Sequence, residues 1–474
     1  MTKATAQLHS PRRLHNDREM GSKVPMTHNK ILRAALLAGV LAVGLSGCKG
    51  GLFGGGKDKT TPTVGNRIPI LSRIESGAEV DPALAGISVV LPPQRGNTEW
   101  AQAGGAASKS YGHLALAETP TKVWSAQVAG SSNRERLAAA PVIGGGKLFV
   151  AGTDGVITAF DKNTGAKLWS LLNDESMTKD MRPSAFGGGA SYDGGKLYAT
   201  NGVGEVKAIN AETGALLWKV KPAGPLRGSP TIAFGQLFVM TQDNQLISLS
   251  ITDGSLVWDE SGSNTQSGVF GVAAPAAGQG TIVAGYSSGE LTAYRYENGR
   301  VLWSDALART NISTTVGTIT DIDADPIIDS GRVYALGQGG RMAAYELVSG
   351  QRIWELNLAG ISTPAIAGEW IFTLTDDARL LAIARSSGRV RWISQLRRYK
   401  DEEDKEGQIF WTGPVLAGGQ LWVASSRGEL WKVSAGEGSA SLFADIGQPI
   451  SLAPVVSDGM LYLLDDSGTL HAWK

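Results

Sequence analysis

The sequence predicts an all-β fold, an eight-bladed β-propeller of four-stranded antiparallel blades whose ring is closed by an N-terminal strand. Three observations carry that expectation. A glycine is followed four residues later by a tryptophan at Gly165/Trp169, Gly214/Trp218, Gly254/Trp258, Gly299/Trp303, Gly350/Trp354 and Gly388/Trp392, at a mean spacing of about 45 residues, the length of one blade. A short strand opening on proline recurs at Pro141, Pro230, Pro275, Pro326, Pro364, Pro414 and Pro454, with Ala190 in that place where the proline is missing, so eight blades are expected. Glycine makes up 62 of 474 residues, nearly twice its usual share of roughly 7%, as a chain that turns every few residues requires.

Residues 1–47 read as a secretory signal. Lys30 and Arg33 precede an apolar run over 34–45 that is too short to span a bilayer, for which about 20 residues are needed. Met26 supplies an alternative start for it. The run ends on Leu45-Ser46-Gly47-Cys48, which resembles a bacterial lipobox, and Cys48 is the only cysteine of the chain. The resemblance implies that Cys48 becomes the acylated N-terminus of the mature protein. Lys49 rather than aspartate follows it, which by resemblance to lipoprotein sorting favours the outer membrane. Several acyl chains, at about 0.8 kcal/mol per buried methylene, anchor stably without a spanning helix. Residues 48–65, rich in Gly, Lys and Thr, read as a flexible tether. Residues 66–119 read as an extension partly ordered against the propeller, through Asn97-Thr98-Glu99-Trp100 and Tyr111-Gly112-His113.

The propeller is expected over 120–474. In its first blade, 141–143, 147–152 and 156–160 read as strands joined at Gly144-Gly145-Gly146 and Asp154-Gly155, Asn163-Thr164-Gly165 supplies a positive-φ turn, and Lys167 opens the outermost strand. Phe443 stands where the seventh tryptophan belongs, and the last blade stops at Trp473-Lys474, one strand short. Thr121-Lys122-Val123-Trp124 copies Ala166-Lys167-Leu168-Trp169 and is expected to supply that strand, because an open ring would leave long unpaired edges. The repeated tryptophans are expected to pack blade against blade rather than to form a stacking surface for a ligand.

Chemistry is sparse. Of five histidines, His9, His15 and His28 fall in the signal, and His113 and His471 have no nucleophile motif beside them, so no hydrolytic triad and no catalytic residue is assigned. One cysteine and no histidine cluster leave zinc and other transition metals without ligands. Gly144-Gly145-Gly146-Lys147 lacks the following Ser or Thr of a phosphate loop and reads as a hairpin. Asp321-Ile322-Asp323-Ala324-Asp325 begins like a calcium loop, but Pro326 replaces the turn glycine and Arg332 the closing glutamate. Its carboxylates are therefore either solvated turn residues or a surface that meets a basic partner. In Gly224-Pro225-Leu226-Arg227-Gly228-Ser229-Pro230, Leu226 and Arg227 sit on a stiff loop, either as an anchor pair for a partner or as an ordinary inter-blade connection. The charged insertion over 395–409 reads as a solvated loop. Formal charge is zero for the whole chain and becomes acidic once 1–47 is removed, which disfavours nucleic acid as a partner.

The lipobox, the tether and eight blades carrying Ala-x-Asp-x-x-Thr-Gly-x-x-x-Trp repeats (Ala159, Asp161, Thr164, Gly165 and Trp169) resemble the BamB (YfgL) family of outer-membrane lipoproteins. The resemblance implies a non-enzymatic scaffold of the β-barrel assembly (BAM) complex, without a cofactor, anchored by lipid at the periplasmic face of the outer membrane. It implies a monomer within that complex, which binds the POTRA domains of BamA and other BAM subunits and assists the insertion of unfolded outer-membrane proteins. The family's Leu-Arg-Gly loop matches Leu226-Arg227-Gly228, and its Asp-x-Asp-x-x-Pro loop matches Asp321 to Pro326, which implies that Leu226, Arg227, Asp321 and Asp323 contribute to the BamA-binding surface. Gly224 stands where the family loop can carry a second leucine. The alternative is a pyrroloquinoline-quinone (PQQ) dehydrogenase, which resembles this chain in its tryptophan repeat but uses an aspartate base, calcium and often an adjacent-cysteine disulfide that this chain lacks. A third reading is a propeller that binds cell-wall glycans or another envelope protein.

Overall fold

Hydrophobic residues in the repeat fall on short strands separated by glycine turns, and each group of four closes into one sheet. In the first blade Val142–Gly144, Lys147–Ala151, Val156–Asp161 and Lys167–Leu172 pair antiparallel in chain order. The computed structural model describes residues 78–132, 135–172, 187–263, 273–307 and 320–474; the expected signal, Cys48 and the tether lie outside the described residues. Six more sheets of the same order occupy 188–220, 231–261, 276–306, 327–356, 365–395 and 411–445. The eighth is built from Val455–Ser457, Met460–Leu464 and Thr469–Trp473, and its outermost strand is Lys122–Gln127, with Ser125 opposite His471. The chain is thus the expected eight-bladed propeller, closed by joining its N-terminal strand to its last blade. Among the described residues no helix is long and apolar enough to cross a membrane.

Every residue of the repeat has a mechanical reason. Asp161 Oδ1 accepts hydrogen bonds from the backbone of Asn163 and Thr164 and from the Thr164 hydroxyl, which shapes the turn. Ala159 lies directly opposite Trp169 and leaves room for the indole, and Ala208, Ser248, Ala293, Ala344 and Ala382 do the same for the next five tryptophans. Each indole then reaches into the following blade. Trp169, Trp258, Trp303, Trp354 and Trp392 donate Nε1–H to the carbonyls of Ala211, Tyr296, Leu347, Arg385 and Ala435 at 2.7–3.1 Å. The ring covers the turn glycine of that blade: a Cβ on Gly214 would lie 2.8 Å from Trp169, and one on Gly388 would lie 2.8 Å from Trp354. The glycine is therefore required twice, by its positive φ and by the neighbouring indole. At the closure Trp124 covers Gly165 in the same way, while the Tyr462 hydroxyl takes the Lys162 carbonyl. Phe443 replaces the tryptophan of the seventh blade by packing edge-on against Trp422 and Trp473.

Of the segment ahead of the closing strand, residues 97–116 run inside the ring. The innermost strand of each blade has a free edge facing the channel, and unpaired backbone groups there are costly unless satisfied. Trp100 exchanges two backbone hydrogen bonds with Ile143 of the first blade, and Ala101 accepts one from Tyr192 of the second. The Gln102 side-chain amide bonds both Ile232 N and Ile232 O of the third blade, at 2.9 and 3.0 Å. Ala107 and Ser108 accept from Ala277 and Ile328 of the fourth and fifth, and Leu114 donates to Leu416 of the seventh. Asn97 bonds Val456 O of the eighth, and Leu116 bridges Gly459 of the same blade. Residues 97–116 thus pass round the channel in blade order, bonded among the described residues to every blade but the sixth, and return to the blade where they began. Earlier, Val80 pairs with Val390 on the outer strand of the sixth blade.

The charged insertion departs from the expected loop. Tyr399–Asp401 and Glu406–Gln408 form an exposed two-stranded hairpin, rooted by the Trp411 indole on the Arg397 carbonyl at 2.8 Å. The two remaining histidines serve structure separately. His113 bridges Pro92 O and Gly419 N, and His471 bonds Asp465.

The indole–glycine contact predicts the costliest substitutions. Trp354→Ala is expected to destabilise the ring by about 3–5 kcal/mol, and Gly388→Ala, which combines backbone strain with overpacking, by about 1–3 kcal/mol. Denaturant unfolding of the two variants checks this; midpoints equal to that of the wild type would remove the contact from its central role.

Candidate functional site

The two loops singled out by sequence meet. Leu226 and Arg227 lie on the connection from the second blade to the third, where Arg227 N donates to Met240 O and Gly188 N donates to Arg227 O, both at 2.8 Å. Gly187, at φ +123°, has no room for a Cβ against the Leu226 carbonyl, so the loop is seated on two blades at once. Asp321 and Asp323 lie on the connection from the fourth blade to the fifth. There Ile322 and Ala324 are fully buried, and this alternation turns Asp321, Asp323 and Asp325 the other way. Across 94 residues of sequence, Arg227 Nη2 donates to Asp321 Oδ1 at 2.9 Å, and it also reaches Asp323 Oδ1 at 3.3 Å.

The exposure of these residues corrects the sequence-based picture. Asp321 is neither a solvated turn residue nor an exposed acidic surface; it is 1% exposed, as is Arg227, and Leu226 is 0% exposed in the core between the second and third blades. Leu226 and Arg227 therefore do not form a surface anchor pair. They hold a face rather than constitute it. One guanidinium serves two carboxylates, and burial together with the Asp321 charge pushes the Asp323 carboxyl up to about 7, against the pull of Arg227. Arg227 Nε and Nη1 and Asp321 Oδ2 find no hydrogen-bond partner among the described residues, so charge attraction in a low-dielectric setting carries most of the cluster.

Two residues that sequence reasoning left out of the site complete it from below. Asp325 accepts from Ala274 N at 2.7 Å, and its backbone N–H donates to Thr363 Oγ1 at 3.0 Å, which ties the aspartate loop to the start of the fourth blade and the approach to the sixth. Lys109, from the segment inside the ring, donates Nζ–H to Thr231 Oγ1 at 3.1 Å. Burial lowers the Lys109 amine to about 8 while Asp325 pulls it upward; burial likewise raises the Asp325 carboxyl against the opposing effect of Lys109. Asp325 was legible as the third carboxylate of its run. Nothing in the sequence marks Lys109.

Among the described residues no group of three His, Cys, Asp or Glu side chains is placed to hold a metal, and Asp321 and Asp323 are engaged by Arg227.

The chain is 26% identical over 359 residues to outer membrane protein assembly factor BamB of Yersinia pestis, covering 75% of this chain and 89% of that protein. The crystal structure of BamB from Moraxella catarrhalis superposes with a TM-score of 0.63 at 18% identity, over 75% of this chain and 99% of that one. A quinohemoprotein alcohol dehydrogenase from Comamonas testosteroni shares the fold at a TM-score of 0.62 and 13% identity, over 79% and 80% of the two chains. The profile of the family described as outer membrane protein assembly factor BamB matches residues 104–186 and 153–394. On that match, across more than half of its length, the chain belongs to the BamB family.

Proposed function

We propose that this protein is a non-enzymatic, lipid-anchored scaffold at the periplasmic face of the outer membrane, which docks on the POTRA domains of BamA and assists insertion of barrel proteins. The observation that carries this reading is the Arg227, Asp321 and Asp323 cluster, which locks two loops from separate blades into one face. A pre-ordered face loses little entropy on docking, and buried charges that hold it in shape favour one arrangement over others. Cys48 supplies the anchor, and within the complex the protein acts as a monomer.

A second property supports direct contact with unfolded clients. The outermost strands present apolar residues at their free edges, with Leu216 50%, Leu256 59% and Val301 48% exposed, whereas Val390, covered by the chain's own Val80, is 2% exposed. An extended strand pairing on those edges would bury such residues as Val80 buries Val390.

The quinoprotein alternative fits the residues poorly. The circuit over 97–116 takes up inner edges that line the channel, and Cys48 is the only cysteine, so no adjacent-cysteine pair is present.

Arg227→Ala leaves two buried carboxylates uncompensated, at a cost of about 3–5 kcal/mol; the variant is expected to lose most BamA POTRA capture in a pull-down while the other blades stay folded by circular dichroism. Capture equal to that of the wild type would remove the cluster from the docking face. Asp323→Asn gives a gentler test through pH. Because folding raises this carboxyl from 3.8 to about 7, the native state binds more protons than the unfolded one between those values, and this group's contribution to stability falls as pH rises across that window. Relative to wild type, Asp323→Asn is therefore expected to gain melting temperature steadily from pH 4 to pH 7 and to gain no more above it. A difference that stays constant with pH would contradict the raised Asp323 carboxyl and the burial beside Asp321 that causes it.

A further inference from the structure

The circuit inside the ring and the docking face are joined at one side chain. Lys109 is 0% exposed and holds a left-handed backbone, φ 63°, packed against Gly104. A buried cation in a conformation that lysine rarely adopts is costly on both counts, and such outliers persist where the surrounding structure uses them. Its amine donates to Thr231, four residues beyond Arg227, and Thr231 passes the contact to Pro275 O at 2.6 Å. Asp325, two residues beyond Asp323, accepts from Ala274 N, next to that proline, at 2.7 Å, and its charge opposes the effect of burial on the lysine. One lysine thus touches the strand that follows the arginine loop and opposes the charge at the end of the aspartate loop.

We propose that residues 97–116 are an inner belt that ties the blades together, and that Lys109 is the positioning residue through which this belt sets the spacing of the Arg227 and Asp321/Asp323 loops. The belt acts on the partner-facing side without reaching its surface. Breaking the Lys109–Asp325 attraction leaves each blade intact but frees the aspartate loop from the strand below Arg227. This inference rests on the docking reading given above for its binding arm and on the fold alone for its exchange arm.

The test uses the mature full-length chain with Lys109→Met, which keeps the volume and removes the charge, Asp325→Asn, and the two combined. Hydrogen exchange is followed at the amides of Ala274, Asp325 and Arg227 and in the outermost strands, beside affinity for a BamA POTRA fragment. Lys109→Met is expected to speed exchange at those three amides at least tenfold with the outermost strands unchanged, and to weaken POTRA binding about fivefold or more. The double variant, which leaves no unpaired charge, is expected to recover most of both. If Lys109→Met fails to fold, Asp325→Asn carries the same comparison. A role in stability alone would speed exchange evenly across the ring and would not be rescued by the second substitution, and that pattern overturns the proposal. So does binding by Lys109→Met equal to wild type. Wild-type protein that does not bind POTRA sinks the docking reading instead, and the exchange pattern at the three amides then decides the inference.

Discussion

An indole lying on a glycine in the next blade is the contact on which the rest of this molecule depends. A sheet with one buried face gains stability only when that face is covered, and in a ring each sheet covers its neighbour. The tryptophan does this at the wide outer rim, where sheets that splay from a common axis would otherwise separate. Its Nε1–H fixes the angle as well as the distance, since the accepting carbonyl belongs to the same turn as the glycine. The turn therefore cannot drift without losing both a hydrogen bond and an aromatic face.

Such a contact is directional, from each blade to the next, so a ring of them needs a supplier for its last gap. The chain solves this by reserving Trp124 on a strand that precedes the first blade in sequence and completes the last one in space. The narrow end of each wedge has the opposite requirement. Innermost strands are short, three residues in most blades, and their channel-facing edges need partners. The circuit over 97–116 supplies them from one continuous segment for every blade but the sixth, so the ring is closed once at its rim by a strand and again at its axis by a belt.

The rim was legible in the sequence because it repeats: Gly165 and Trp169 recur at a fixed offset, and so does the proline of the first strand. The closing strand was legible for the same reason, as a displaced copy of a repeated tetrapeptide. The axis was not. Trp100, Gln102 and Ser108 meet the first, third and fifth blades at unequal spacing, so the segment that carries them has no period, and Gln102 stands in for a backbone pair with its side chain. The candidate site was half legible. Loop stiffness and spaced carboxylates drew attention to Arg227, Asp321 and Asp323, but pairing over 94 residues follows from the curvature of the ring, and no local pattern encodes it. The expectation of exposure failed for that reason: two charged loops read separately look solvated, and read together they neutralise and bury each other.

Burying charge where two inter-blade loops meet has a physical consequence. A guanidinium shared by two carboxylates, with a lysine and a third carboxylate beneath, is worth little as net stability, since desolvation offsets most of the attraction. Hydrophobic residues of the same volume would hold two loops together at least as firmly, but they would tolerate many relative positions. Ion pairs with hydrogen-bond geometry tolerate few, because a small slip leaves a buried charge unpaired. For the docking role proposed above, one presented shape matters more than additional stability, which the rim contacts already supply. The division of labour follows from position: apolar packing at the periphery, where the leverage on the ring is greatest, and paired charge near the axis, where loops from non-adjacent blades come close enough to be set against one another.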